Sequence, residues 1–203
     1  MTEATQPKKD ISPRAGGPAG PQFEAKVAAH YALAVLAQTE AFGLPGAIVD
    51  RLEFQRRGLG HPLDDIIIKA TTRTGEQCCL EVQAKRSMAF TEGDSNFAAV
   101  VAGIVEGRKK DAGRRFAVAL ERTSGSIESG VQEVLELSRH AIDAQSFLTL
   151  LNTPGRGNED MRRFVVALKK HLGSHDCGTD EIVFEVLKLF SVLVFDYARP
   201  SSI

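Results

Sequence analysis

Cysteine, net charge and long apolar runs are all scarce in this sequence of 203 residues. The cysteines are an adjacent pair, Cys78 and Cys79, and a distant Cys177, which gives neither the spacing of a zinc site nor the even count of a secreted disulfide framework. We therefore expect a reducing, cytoplasmic environment. No stretch approaches the roughly 18 apolar residues of a membrane span, and the N-terminus lacks an apolar signal-peptide core, so we expect no membrane association.

The charge balance excludes little. A formal net charge of -1 gives no overall attraction to nucleic acid, although a local basic surface on such a protein can still bind a phosphate backbone. A hydrophobic content of 43% and a charged content of 25% are ordinary for a globular domain. The composition therefore predicts a folded domain and leaves its function to local motifs.

The chain divides into two parts. Residues 1–21 are rich in Pro, Gly and polar residues, which predicts a disordered N-terminal arm. Residues 22–203 form one predicted domain with the order helix, three strands, helix and strand, followed by a helical C-terminal half and a closing apolar strand. The first helix is predicted to stop at Gly43, residues 62–87 predict two strands joined by a turn at Thr74 and Gly75, and residues 95–110 predict the second helix. This order predicts an α/β fold.

One predicted strand carries polar residues at every second position. In the stretch LEVQAKRS, these are Glu81, Gln83 and Lys85, whereas the intervening residues are apolar. Because successive side chains on a strand point to opposite faces, the three polar residues share one face. Asp65 directly precedes an isoleucine run that forms the neighbouring strand, so we expect it at the same end of the sheet as Gln83 and Lys85.

These residue types suit metal-dependent cleavage of phosphodiesters. A carboxylate oxygen such as that of Asp65 binds a hard cation such as Mg²⁺. The cation polarises a phosphoryl oxygen and activates a bound water, and the Lys85 ammonium offsets negative charge in the transition state.

The aspartate before the isoleucines, followed by EVQAK over residues 81–85, resembles the PD-(D/E)XK nuclease core. The resemblance is to the variant in Mrr-type restriction endonucleases, in which glutamine replaces the second carboxylate. A wider match, GGPAGPQFEAKVAAHYAL, then PLDDIII, then LEVQAKRS, resembles the N-terminal endonuclease domain of bacterial antiphage effectors. In those proteins the domain is joined to a SAVED-type sensor of cyclic oligonucleotides or to a NACHT-type ATPase.

The resemblance implies a restriction-endonuclease-like core, a central mixed β-sheet flanked by helices. It also implies roles for individual residues: Asp65 as the principal ligand of Mg²⁺ or Mn²⁺, Gln83 as a second ligand through its amide oxygen, and Lys85 as the catalytic lysine. The backbone carbonyl of Ala84 is a further implied ligand. Glu24, on the first helix, matches the helix-borne glutamate that often completes the metal shell.

Several of these assignments have alternatives. Asp64 competes with Asp65 for the role of main ligand, and Glu81 with Lys85 could form an ion pair at a sheet edge. Glu24 could simply stabilise the dipole of its helix. Because Gln83 is neutral, the domain could also be an inactive nucleic-acid-binding module or an oligomerisation module of the same fold.

The expected substrate is double-stranded DNA, and residues near the motif could contact its phosphates. Arg56 and Arg57, with His61 after them, precede the aspartates, while Arg86 and Ser87 follow the lysine. A second basic stretch, RKKDAGRR at residues 108–115, is more typical of a solvated helix end. Cutting both strands favours a homo-oligomer when the enzyme is active, and the family implies a regulatory sensor domain or protein. The apolar segments at residues 164–172 and 184–195 could supply a surface for self-association, although their simpler role is the core.

Overall fold

The computed structural model describes residues 19–55, 60–63, 65–111 and 113–196. Over these residues the chain forms one mixed sheet of six strands with helices on both faces, which confirms the predicted α/β class. None of the helices in these ranges has the length and apolarity needed to cross a lipid bilayer.

The strands follow one another across the sheet in chain order. They are β1 (Glu40–Ala41), β2 (Leu44–Phe54), β3 (Ile66–Thr72), β4 (Gln77–Lys85), β5 (Arg114–Leu120) and β6 (Phe190–Val194). The first four strands pair antiparallel, and β4, β5 and β6 pair parallel. As a result, the start of β3 and the ends of β4, β5 and β6 lie at the same end of the strands. We call this end of the sheet the site edge.

The two central strands of the predicted hairpin follow from their residues. Three consecutive β-branched residues in β3, Ile66, Ile67 and Ile68, are fully buried, as expected for a strand covered on both faces. The turn between β3 and β4 contains Gly75 with φ +86°, a conformation that glycine adopts without steric cost. The sequence prediction of two strands joined at Thr74 and Gly75 is therefore confirmed.

The first helix, α1 (Ala19–Ala37), differs from its predicted bounds at both ends. It begins three residues inside the predicted arm, since Pro21 lies in its first turn, where a missing backbone N–H costs nothing. It ends before the predicted stop at Gly43, because Gln38 adopts φ +51° and the chain then enters β1. Residues 1–18 of the predicted arm lie outside the described residues.

The remaining helices are α2 (Ser95–Lys110), α3 (Glu133–His140), α4 (Ala144–Asn152), α5 (Glu159–Gly173) and α6 (Asp180–Leu189). Helix α2 has the predicted bounds, and the Asp94 carboxylate caps its start by accepting from the backbone N–H of Asn96 and Phe97. A π-helical turn (Ile127–Gln132) leads into α3. This turn, α4 and β1 were not predicted from the sequence.

The sheet separates two hydrophobic cores. Helix α1 packs on one face through Phe23, Val27 and Tyr31, against alternate residues of the strands such as Leu80 and Val82. We call this the α1 face. Helix α2 and the C-terminal helices cover the opposite face, which we call the α2 face.

Two apolar segments considered for self-association are largely part of the second core. Phe164, Val165 and Leu168 of α5 are buried, as are Phe184 and Leu187 of α6. Their simpler role, packing the helical half onto the sheet, is the one observed.

Candidate active site

The site edge brings together the residues that the sequence motif singled out. Asp65 lies directly before β3, and Gln83 and Lys85 are at the end of β4. Ligands of open α/β sheets commonly bind beyond the carboxyl ends of parallel strands, which is where β4 and β5 end side by side. All three side chains are half-buried, so they are held by the fold yet reachable from solvent.

Two hydrogen bonds join the Asp65 carboxylate to β4. Its Oδ2 accepts from the side-chain amide Nε2 of Gln83 and, at 2.8 Å, from the backbone N–H of Ala84. Regular pairing between β3 and β4 stops at Ile66 and Val82, so the carboxylate continues the ladder where the backbone of β3 has ended. The structure therefore fixes Asp65 beside Gln83, on the α2 face.

Lys85 shares that face and lies two residues beyond Gln83, about 7 Å further along the strand. Its cross-strand neighbour is Leu120, whose side chain is buried in the helical core. Within the part of the chain that the structure describes, the Lys85 ammonium makes neither a hydrogen bond nor an ion pair. The alternative ion pair with Glu81 is wrong, because the Glu81 carboxylate is bonded elsewhere.

Glu24 lies in the second turn of α1, which packs on the face opposite to that of Gln83 and Lys85. It is half-buried. Its role as a metal ligand stays a prediction from the family resemblance.

The residues expected to contact phosphate differ in their placement. Arg86 is exposed at the end of β4 and donates from Nε to the Glu121 carboxylate at 2.7 Å. This hydrogen bond lowers the pKa of Glu121, and the nearby charges of Lys26 and Arg122 lower it further. Ser87 is exposed next to Arg86. Four positively charged side chains therefore lie around the site edge: Lys26, Lys85, Arg86 and Arg122.

Three further residues of the sequence prediction, Arg56, Arg57 and Asp64, lie outside the described residues, so the choice between Asp64 and Asp65 is informed only by the contacts of Asp65. His61, which was grouped with the arginines as a phosphate contact, is buried and faces Glu81. That part of the prediction is wrong, because a buried imidazole with an internal partner cannot grip a phosphate backbone.

The basic stretch at residues 108–115 serves mainly internal contacts. Arg108 pairs with Glu185, Lys110 with Glu106 within the same helix, and Arg115 donates to a backbone carbonyl. The stretch lies at the edge of the sheet opposite the site edge, where β5 begins. The interpretation as a helix end is therefore favoured over a DNA contact.

The sequence did not predict the partners of Glu81. It is fully buried, and its Oε1 accepts from Arg114 Nη1 at 2.6 Å and lies 2.8 Å from His61 Nδ1. Its Oε2 accepts from the backbone N–H of Leu63 at 3.3 Å. A charged glutamate in the middle of a buried strand requires partners of this kind. Its position in the sequence could therefore have indicated a buried polar network.

A second possible metal centre comprises His61, Cys79 and Glu81, whose ligand atoms lie within 4.8 Å of one another. Two positively charged side chains already contact this group: Arg114 donates to Glu81, and the Lys69 ammonium lies 3.3 Å from the Cys79 sulfur. Burial raises the pKa of the Cys79 thiol, which disfavours the thiolate that a metal requires. We interpret this group as an internal polar network.

Two cavities, of about 690 and 1320 Å³, lie towards the edge of the sheet opposite the site edge. The first is lined by both signs of charge, including Asp50, Lys69 and Asp111. The second is lined mainly by the start of β2, by β6 and by residues of the π-helical turn and α3. Neither cavity includes Asp65, Gln83 or Lys85.

Comparisons with known proteins add no identification: no protein-family model matches the chain, and searches of curated proteins and of solved structures return no match.

Proposed function

We propose that this domain is a metal-dependent endonuclease that hydrolyses DNA phosphodiester bonds with Mg²⁺ or Mn²⁺. The observation that carries the proposal is the arrangement at the site edge: the Asp65 carboxylate is bonded to Gln83 and Ala84, with Lys85 next on the same face. The family resemblance of the motif supports the same chemistry. We further propose that the domain acts in the cytoplasm as the effector of an antiphage defence system.

The donor atoms fit a hard divalent cation. Asp65 offers carboxylate oxygen, and the Gln83 amide points its nitrogen at Asp65, which leaves its oxygen as the atom for a ligand role. The Ala84 carbonyl would complete a set made of oxygen alone, which is the set that Mg²⁺ and Mn²⁺ prefer. When bound there, the cation would polarise the scissile phosphate and lower the pKa of a water.

The protein's own residues supply the other requirements. The amide donors to Asp65 fix the orientation of its carboxylate, so little reorganisation is needed when substrate binds. The Lys85 ammonium would stabilise the negative charge that develops on the phosphate oxygens in the transition state. Arg86, Lys26 and Arg122 would hold flanking phosphates.

The neutrality of Gln83 favours one alternative function, an inactive nucleic-acid-binding module. With an amide where many related sites carry a carboxylate, the site holds less negative charge for a divalent cation. Such a module would bind DNA in the presence of EDTA and would never nick it.

The two functions are distinguished by incubating supercoiled plasmid with the wild type and Lys85→Ala, with and without Mg²⁺ or Mn²⁺. We expect wild-type nicking that needs the metal, and nicking reduced to background in Lys85→Ala. Lys109→Ala is the matched control, because it removes an exposed lysine at the opposite edge and should nick like the wild type. Equal nicking by wild type and Lys85→Ala, or none by the wild type, would overturn the proposal.

A further inference from the structure

The stretch that leads into Asp65 is tied to Glu81 along most of its described length. His61 faces one oxygen of the Glu81 carboxylate, and the backbone N–H of Leu63 donates to the other. Arg114, which bonds Glu81, also donates to the carbonyl of Gly60 at 2.8 Å. One buried carboxylate and its arginine therefore hold three of the four residues 60–63.

Apolar packing holds the same stretch from the other side. The Leu63 side chain is buried and lies against α2 at Gly103, where an added Cβ would come within 2.6 Å of a Leu63 methyl group. Glycine at position 103 thus makes room for Leu63 on the helix surface. Residues 60–63 therefore lie between the Glu81 network in the sheet and the space on α2 that Gly103 leaves.

Holding this stretch with buried charges has a cost in free energy. Taking charges out of water costs several kcal/mol per ion, and replacing a buried ion pair by well-packed apolar residues is often neutral or stabilising. What the carboxylate offers, and an apolar side chain does not, is three directional hydrogen bonds that converge from different segments. These bonds fix the position of the chain as well as its burial.

We infer that Glu81 is a positioning residue: through His61, Leu63 and Arg114 it sets the path of residues 60–63 so that the Asp65 carboxylate meets Gln83 and Ala84. The functional importance of this geometry rests on the proposed nuclease activity. The geometry itself does not, because it can be measured on a protein without metal or DNA.

The Ala84 amide reports on the position of Asp65. This N–H donates to Asp65 Oδ2, beyond the last residue pair of the β3–β4 ladder, so its protection from hydrogen exchange depends on the Asp65 side chain. Val82, which pairs with Ile66 as the last residue pair of the ladder, is the internal reference. Amide exchange followed by NMR therefore separates a displaced Asp65 from a generally weakened sheet.

The main variant is Glu81→Gln, which keeps the size of the side chain but offers one acceptor oxygen to donors that now use two. We expect protection of the Ala84 amide to fall by about tenfold relative to Val82, the effect of one lost hydrogen bond. Leu168→Ala, in the buried helical core, is the control for general destabilisation. It should lower the melting temperature and leave the ratio of Ala84 to Val82 unchanged.

A second variant, Gly103→Ala, perturbs the same stretch without changing a charge, and it keeps the test usable if Glu81→Gln fails to fold. The added methyl group displaces Leu63, so Ala84 protection should fall here as well. If neither variant lowers Ala84 protection more than the Leu168→Ala control does, the inference is wrong. A wild type that never nicks DNA would remove the proposed function and leave this result unaffected.

Discussion

Two carboxylates on the same face of the sheet, Glu81 and Asp65, are held in different ways. Glu81 is fully buried and uses both oxygens, with a guanidinium among its donors. Asp65 is half-buried at the sheet edge and receives two amide donors on one oxygen, Oδ2. A buried carboxylate that already holds an arginine is a poor metal ligand, whereas a half-buried carboxylate at the end of the sheet can be reached by a cation from solvent. The difference indicates a structural role for Glu81, and Asp65 stays the proposed metal ligand.

The largest effect that the comparison predicts is on stability at Glu81. Arg114→Ala removes the cation and leaves a buried carboxylate with weaker partners, so we expect a loss of about 3–5 kcal/mol in the free energy of unfolding. Chemical denaturation measures it. Arg115→Ala, next in the chain, removes an exposed side chain that donates to a backbone carbonyl, so it should cost less than about 1 kcal/mol. Equal losses would remove the distinction between the two carboxylates.

A second prediction concerns the charge at the site edge. Gln83→Glu adds a carboxylate beside Asp65, so the affinity for Mn²⁺ should rise about tenfold through the added attraction. Calorimetric titration of wild type and variant gives the two dissociation constants. An unchanged affinity would mean that position 83 does not face the cation.

At Asp65 itself, the effect on stability should be small. In Asp65→Asn the remaining oxygen can occupy the place of Oδ2 and accept both amide donors, so unfolding free energy should change by at most about 1 kcal/mol. Metal-dependent nicking should nevertheless be lost. A stability loss as large as that of Arg114→Ala would show that Asp65 is mainly structural.

The smallest predicted effect is on thiol reactivity beside the Glu81 network. Burial raises the pKa of Cys79, and its side chain is nearly inaccessible, so it should be alkylated much more slowly at neutral pH than the half-buried Cys78 and Cys177. Mass spectrometry after brief exposure to a maleimide measures the three rates. Fast labelling of Cys79 would indicate that this part of the sheet opens readily.

Local signals made much of the fold predictable. The β3–β4 hairpin followed from the isoleucine run and the turn at Gly75, and α2 followed from its helical pattern. The start of α1 did not, because a stretch rich in Gly and Pro indicates a flexible arm unless tertiary packing overrides it. The two-residue strand β1 is too short to give a periodic signal.

The candidate site divides in the same way. The period of two along β4 placed Gln83 and Lys85 on one face, and the strand order placed Asp65 beside them. The periodicity of β4 could not reveal the partners of Glu81. Arg114 lies 33 residues further along the chain, and the pairing of β4 with β5 brings it close. Contacts that depend on sheet pairing between distant segments leave no local pattern in the sequence.

The most direct test of the central claim is an anomalous difference map from crystals of the protein soaked with Mn²⁺. The account predicts a peak between the Asp65 carboxylate and the Gln83 amide oxygen, on the side of Lys85. A peak held instead by His61, Cys79 and Glu81, or no peak beside Asp65 at saturating Mn²⁺, would contradict it.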